Sequence, residues 1–433
     1  MSGRAVWHDG SAPRHGDVGM DGGQLAHDAA QNVARASYGK LIAYLAKQTR
    51  DVAGAEDALS EAFAAALADW PQKGVPDNPE AWLMTVAKRK TIDAARRRRS
   101  GEASADHLQL MAEELEAMAS KERSIPDERL ALMFACAHPA IDSGIRSPLI
   151  LQTVLGLDAV DIGSAFLVTP AAMGQRLARA KNKIKVAGIP FRVPERAELG
   201  ERLDAVLEAI YAAYTKGWND PANVQNNLAG EAIWLGRLIV ELLPHEAEAL
   251  GLLALMLFLQ SRRGARRGSG GEFVPLTDQD PSLWDGEMID EAERLLRRAG
   301  EMGVIGRYQL EAAIQSAHAA RRVTGATDWE AIVALYEGLY KIMASQVVAI
   351  NHAVALAEVK GPEAGLEVLP DLSKNPELME FQPYWAARAA LLSRADLLGD
   401  AAEAYGMAIG LESDPQLRNF LLAQLSKVNS RRQ

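Results

Sequence analysis

The sequence predicts an all-α fold, and three observations carry that expectation. Apolar residues recur at helical spacing through most of the 433 residues. No stretch shows convincing strand alternation, and Gly and Pro punctuate the chain where helices would end. A length of 433 favours two or three domains, and 48% hydrophobic residues suffice for ordinary packed cores.

Several function classes fall away early. The longest apolar run, "ALGLLALMLFL" at 249–259, lies between Glu248 and Gln260 and is far shorter than the roughly 20 residues of a membrane span. The amino terminus has no apolar core of the signal-peptide type, so a cytoplasmic location is expected. The single cysteine, Cys136, excludes an intrachain disulfide and fits a reducing compartment. "CAHP" places Cys136 two residues from His138, but nothing nearby completes a metal set, so the reading is a buried apolar thiol with no metal and no cofactor. A Walker loop, HExxH, a nucleophile elbow and metal-spaced Cys/His groups are all missing, so an enzyme is not expected.

Taken in order, residues 1–27 are rich in Gly, Asp and His and read as disordered. "NVARASYGKLIAYLAKQT" and "AGAEDALSEAFAAALADW" read as helices. In the second, Leu59, Ala62, Phe63, Ala66 and Trp70 share a face that should pack, leaving Glu56, Asp57, Ser60 and Glu61 outward. "GVPDNPEAW" is a turn in which Asn78 suits a helix cap and Pro79 a first helical turn. The next helix, "EAWLMTVAKRKTIDAARRRR", ends in four arginines.

Charge is unevenly placed along this order. Residues 1–199 hold 25 basic and 25 acidic side chains, and residues 200–433 hold 22 and 32, so the net −10 belongs to the second half. Residues 79–100 carry seven positive and two negative charges, and residues 170–192 carry six and none. Residues 101–128 between them carry two and eight. Two basic blocks joined by an acidic linker are the electrostatic footprint of nucleic-acid contact.

The second block resolves geometrically. At about 100° per residue, Met173, Leu177, Ala180 and Ile184 form one apolar stripe, while Ala172, Gln175, Arg176, Arg179 and Lys183 share the opposite sector. Thr169 suits the cap and Pro170 the first helical position. Upstream, "DAVDIGSAF" reads as a short helix separated by "LV", and this order is that of a helix-turn-helix. Gln175 and Arg176 would read base edges, with Arg179, Lys181, Lys183 and Lys185 on phosphates, and Ala171 and Ala172 would permit close approach. A packed amphipathic helix with a solvated charged face is the competing reading. Leu167 stands where many such turns place glycine.

"AEDALSEAF", "NPEAWLMTVAKRKTIDAARRRR" and "AFLVTPAAMGQRLARAKNKIK", in this order and spacing, resemble regions 2 and 4 of bacterial extracytoplasmic-function sigma factors. The likeness is to the subgroup with a long helical carboxy-terminal extension, in which "LVTPAAMGQRLARAK" is the usual form, and "AGIPFRVP" and "QDPSLWD" also match it. The resemblance implies region 2 at 28–100, an acidic linker at 101–125, region 4 at 126–192 and the extension at 193–433. It implies that Glu56, Asp57, Leu59 and Glu61 dock on the β′ clamp helices of core RNA polymerase, whose β flap is the further contact. It implies that Asn78, Trp82, Lys88, Arg89, Arg96 and Arg97 engage the −10 element of promoter DNA. The helix from Pro170, with Thr169, Ala171, Ala172, Gln175, Arg176, Arg179, Lys181 and Lys183, would read the −35 duplex. Between residues 76 and 100 Trp82 is the one aromatic, and stacking contributes about 1–3 kcal/mol per base, so weak melting and a strict dependence on near-consensus promoters are expected.

The second half reads as a continuous helical series. "DAAEAYGMAIGLESDP" offers Ala401, Tyr405 and Ala408 at the offsets of a tetratricopeptide second helix, with Pro415 after it. "NHAVALAEVKGPEAGLEVL" pairs two helices around Gly361 and Pro362. An acidic array of this kind suits protein contact or regulation, including an intramolecular contact with regions 2 and 4. The loop "RRGARRGSGGEFVPLTDQDPSLWD", with Asp278, Asp280, Trp284 and Asp285, reads either as a surface loop anchored by Trp284 or as a regulatory gate. The open alternative for the whole chain is a helix-turn-helix regulator with a helical-repeat sensor domain.

Overall fold

The computed structural model describes residues 22–98, 128–166, 168–219 and 228–433. The linker expected at 101–125 lies outside them. Helix α1 begins at Gly22, so residues 22–27, expected to be disordered, are helical, and residues 1–21 lie outside the description. The fold is all-α: among the described residues extended pairing amounts to a bridge between Arg267 and Phe273. The chain divides into two compact units, 1–209 and 210–433.

In the first unit, α1 (Gly22–Thr49), α2 (Val52–Lys73) and α3 (Pro79–Arg98) pack on one another. Their starts follow the capping rules. The Asp51 carboxylate accepts from the Gly54 N–H at 3.0 Å, and Asn78 Oδ1 from the Ala81 N–H at 3.0 Å, each satisfying a donor that the helix leaves open. Leu41, Ile42, Leu45, Leu59, Ala62, Ala66, Trp70, Leu83 and Ala87 are buried. Each large aliphatic side chain withdrawn from water in this way stabilises by about 1.5–3 kcal/mol.

Four shorter helices complete the unit: α4 (Arg129–Cys136), α5 (Ser143–Thr153), α6 (Ala159–Ala165) and α7 (Pro170–Val186). They pack in sequence, and α1 also touches α4 and α5 while α2 touches α7. Close approach of α1 to the end of α5 depends on Gly39, where a Cβ would lie 1.8 Å from the Val154 carbonyl oxygen.

Helix α8 (Gly200–Asn219) runs through the boundary of the units. The second unit continues with α9 (Leu228–Leu242), α10 (Ala247–Ser261), α11 (Gly286–Glu301), α12 (Arg307–Ala319), the short α13 (Arg321–Thr324), α14 (Trp329–Ile342), α15 (Gln346–Lys360), α16 (Pro362–Val368), α17 (Gln382–Arg394), α18 (Leu398–Leu411) and α19 (Pro415–Arg432). The apolar run at 249–259 is α10, apolar all round because α9, α11 and α12 surround it. From α14 to α19 each helix packs on the next. Gly361 turns the chain from α15 into α16 with φ +92°, a conformation that side chains with a Cβ resist. Ala401, Tyr405 and Ala408 are buried on α18 against Leu421 and Val428, and Pro415 opens α19. No helix of the described residues is long and apolar enough to cross a membrane.

Candidate nucleic-acid interface

The basic helix α7 is built as its sequence dictates. Thr169 caps it, accepting from the Ala172 N–H at 3.4 Å, and Pro170 is its first residue. Met173, Leu177, Ala180 and Ile184 are buried, which turns Gln175, Arg176, Arg179 and Lys183 to solvent beside exposed Thr169 and Ala171, with Ala172 half-buried. The α6–α7 turn is tight, with the Val168 N–H on the Gly163 carbonyl at 2.9 Å. A Cβ at Gly163 would lie 2.6 Å from the Val168 carbonyl oxygen, so the small residue this turn needs sits on α6. Leu167 lies outside the described residues.

Two of the expected phosphate contacts are placed elsewhere. Lys181 is 9% exposed and its Nζ meets Glu56 Oε2 at 2.5 Å. Lys185 pairs with the Asp51 carboxylate, the same group that caps α2. Lys181 is thus withdrawn from the surface, whereas Lys185 stays exposed while paired. The reason is helical phase: Lys181 follows Ala180 onto the flank of the buried stripe, where α2 packs. An aspartate at a helix start signals a cap, but its pairing with a residue on α7 has no local signature.

The acidic face of α2 is correspondingly divided. Asp57, Ser60 and Glu61 are exposed as expected, with Glu61 3.0 Å from Lys90 of α3. Glu56, expected outward, is half-buried, and its Oε1 is sealed from solvent without a hydrogen-bond partner. Burial holds its carboxyl above the usual carboxylate range, with Lys181 pulling the other way. The same burial, with Glu56 nearby, pushes the Tyr38 phenol up to about 12. Leu59 is 0% exposed, a core side chain rather than a docking contact.

On α3, Arg89 is exposed and Asn78 serves as the cap. Lys88, expected on DNA, is 6% exposed, with its ammonium 4.7 Å from the centre of the Tyr44 ring. Trp82 is half-buried, edge-on to Trp70 with centroids 5.5 Å apart. Arg96 and Arg97 fall on the last turns of α3, and their side chains lie outside the description.

Other candidate residues find structural partners. Cys136 is fully buried, with its thiol 3.4 Å from the Thr153 hydroxyl, and His138 Nδ1 accepts from the Ala140 N–H at 3.1 Å. In the 278–285 loop, Asp280 accepts from the Ser282 N–H and Asp285 caps α11 through the Met288 N–H at 3.0 Å. Asp278 accepts from the Thr277 hydroxyl. Trp284 is buried, with the Arg321 guanidinium 5.2 Å over its ring, and Arg321 also donates to the carbonyls of Leu276, Thr277 and Gln279.

Comparison with known proteins bears on this geometry. Residues 33–101, which span α1 to α3, match the sigma-70 region 2 model. Residues 202–300 match a family of unknown function, DUF6596. A Rhizobium meliloti protein, described as uncharacterized protein R00370, is 36% identical over 402 residues, covering 90% of this chain and 92% of its own. The chain belongs to the same family as that Rhizobium protein. The likeness runs through both units of the chain, and the sigma-70 region 2 segment is the part that speaks to role. That segment supports a sigma-factor-like role in transcription initiation, which entails binding to core RNA polymerase and promoter DNA rather than catalysis. No solved structure matches the chain.

Proposed function

We propose that the protein is a sigma factor of the extracytoplasmic-function type, which binds core RNA polymerase and directs promoter-specific initiation. The observation that carries the reading is the sigma-70 region 2 match over the three-helix segment. On this reading Asp57 and Glu61 face the β′ clamp helices, Arg89 contributes to the −10 contact, and region 4 at 126–192 meets the β flap. Helix α7 reads the −35 duplex through Gln175 and Arg176, with Arg179 and Lys183 on phosphates. The 193–433 extension, read as tetratricopeptide-like, regulates the factor. The protein acts by binding and trapping unpaired bases, and the polymerase performs the phosphoryl transfer.

This reading requires the first unit to open. The −10 and −35 elements lie some 25 base pairs apart, about 85 Å at 3.4 Å per pair, whereas α2 and α7 touch. The Glu56–Lys181 and Asp51–Lys185 pairs would have to separate, freeing two ammonium groups for phosphates.

The experiment is reconstituted binding to bacterial core RNA polymerase, followed by run-off transcription from the promoter of the protein's own operon. Binding and specific initiation support the reading, and unchanged transcription with a scrambled −10 element removes the near-consensus expectation. If the protein shifts duplex DNA but ignores core polymerase, a helix-turn-helix regulator with a helical sensor domain replaces it.

A further inference from the structure

We propose that Arg262, Arg263 and Arg266, at the end of α10, form a binding site for a phosphate-type oxyanion, either free phosphate or the phosphoryl group of a small molecule. The site lies wholly in the second unit and stands independently of the sigma-factor reading.

Three guanidinium groups come from a single turn of chain and none forms an ion pair among the described residues. Among the described residues Asp414 is engaged with Arg267 at 3.0 Å and Glu311 with Arg307 at 2.7 Å. Each guanidinium carries five N–H donors, yet few are used on protein. Arg262 donates to Gln315 Oε1 at 2.5 Å and Arg263 to the Gly217 carbonyl at 3.0 Å, while Arg266 lies 4.7 Å over the Trp218 ring. Beside them Tyr214 is 0% exposed, and its hydroxyl is sealed from solvent with no hydrogen-bond partner among the described residues.

The electrostatics agree with the geometry. Burial pushes the Arg262 guanidinium down to about 10, with repulsion from Arg266 adding to it, and burial lowers Arg266, with repulsion from Arg267 and Arg263 adding and Asp414 pulling the other way. His318, near Arg262 and Arg321, is held neutral in the same way, down to about 4. Even so, Arg262 and Arg266 each keep part of their surface in water. Three half-buried cations are thus crowded at the end of one helix. Uncompensated positive charge in such a place is costly unless an anion completes it.

Phosphate suits the site better than a single carboxylate. Its tetrahedral oxygens accept from several forks at once, and its second charge balances more than one arginine. Tyr214 stacks on Trp218 with centroids 5.9 Å apart and Arg266 lies over the Trp218 ring, so aromatic side chains flank the arginines.

Titration calorimetry on the full-length protein tests this, using inorganic phosphate and phenyl phosphate, with sodium chloride and acetate at matched ionic strength as controls. The expected result is one saturable phosphate site, weakened at least tenfold in Arg266→Gln and in Arg262→Lys, and unchanged in Arg237→Gln elsewhere on the same unit. Tighter binding of phenyl phosphate would identify a phosphate ester as the ligand, and equal binding would identify the free ion. Should Arg262→Lys fail to fold by circular dichroism, the half-buried Arg266→Gln decides alone. No saturable heat beyond the chloride control, or equal binding by wild type and Arg266→Gln, overturns the proposal.

Discussion

Glu56 of α2 and Lys181 of α7 meet at 2.5 Å across 125 residues of sequence, their side chains 17% and 10% exposed. The pair ties the basic helix to the acidic one and is buried enough for its two halves to be unequal. Glu56 is held above its ordinary carboxylate range by burial even with Lys181 beside it.

Removing the cation alone leaves a buried carboxylate without compensation. Lys181→Met is therefore expected to destabilise the first unit by about 1–3 kcal/mol at pH 7.5, somewhat less than for a fully buried pair. Adding Glu56→Gln should recover much of that loss, because the costly charge is then gone. Urea unfolding of the four members of a double-mutant cycle measures the coupling. Simple additivity would show that the pair does not hold α2 and α7 together.

Arg176 and Arg179 are exposed on α7, whereas Lys181 is tied down. Arg179→Ala should weaken duplex binding by the free protein and reduce the salt slope by about 1, and Arg176→Ala should weaken it and relax sequence preference, neither changing stability. Fluorescence titrations across a salt series and across varied duplex sequences give both readouts. A wild-type salt slope in Arg179→Ala together with wild-type sequence preference in Arg176→Ala would remove this face from the DNA contact.

Asp51 both caps α2 and holds Lys185. The variant Asp51→Asn/Glu56→Gln keeps a competent cap while deleting both ion pairs to α7. Without polymerase it should bind duplex DNA several-fold more tightly than wild type, and donor and acceptor dyes on α2 and α7 should report a longer mean separation. Unaltered affinity and dye distance would mean that packing alone keeps the unit closed.

Burial pushes the Cys136 thiol up to about 12, so almost no thiolate exists at neutral pH. Labelling by a disulfide reagent at pH 8 should be at least a hundredfold slower in the native protein than in urea. Rapid native labelling would place Cys136 at an accessible surface.

His318 packs edge-on to Trp329, and burial with Arg262 and Arg321 nearby lowers it to about 4, against about 6.5 in an unfolded chain. The unfolded state therefore binds the extra proton between those values, and stability falls as pH falls through that window. Between pH 7.5 and pH 5 the loss from this group is about 2 kcal/mol. His318→Phe, which retains a ring against Trp329, should flatten that part of the stability profile for the second unit. Equal pH slopes in the two proteins would contradict the assignment.

Much of the local structure is legible in the sequence itself. The caps at Asn78 and Thr169, the stripe of Met173, Leu177, Ala180 and Ile184, and the buried face of Leu59, Ala62, Ala66 and Trp70 follow from helical period and capping chemistry. Buried Tyr405 and the break at Gly361 follow likewise. The structure departs from the sequence reading at charged residues near the edge of a buried stripe. Lys88 and Lys181 look like surface cations because lysine is mostly exposed, but one covers Tyr44 and the other meets Glu56. The aspartates at 280 and 285, open to a regulatory reading, serve as caps.

The sequence by itself determined that the chain is helical, where the helices start, which face of each is apolar, and that basic charge gathers on α3 and α7. Those features depend on neighbours within about four residues, where backbone hydrogen bonds and side-chain spacing fix the outcome. Tertiary structure alone decided which charges are free. The pairing of Glu56 with Lys181, and the gathering of Arg262, Arg263 and Arg266 against Tyr214, Trp218 and Gln315, join groups far apart in sequence. Coulomb energy and desolvation depend on separation in space and on the surrounding medium, and neither is encoded by order along the chain.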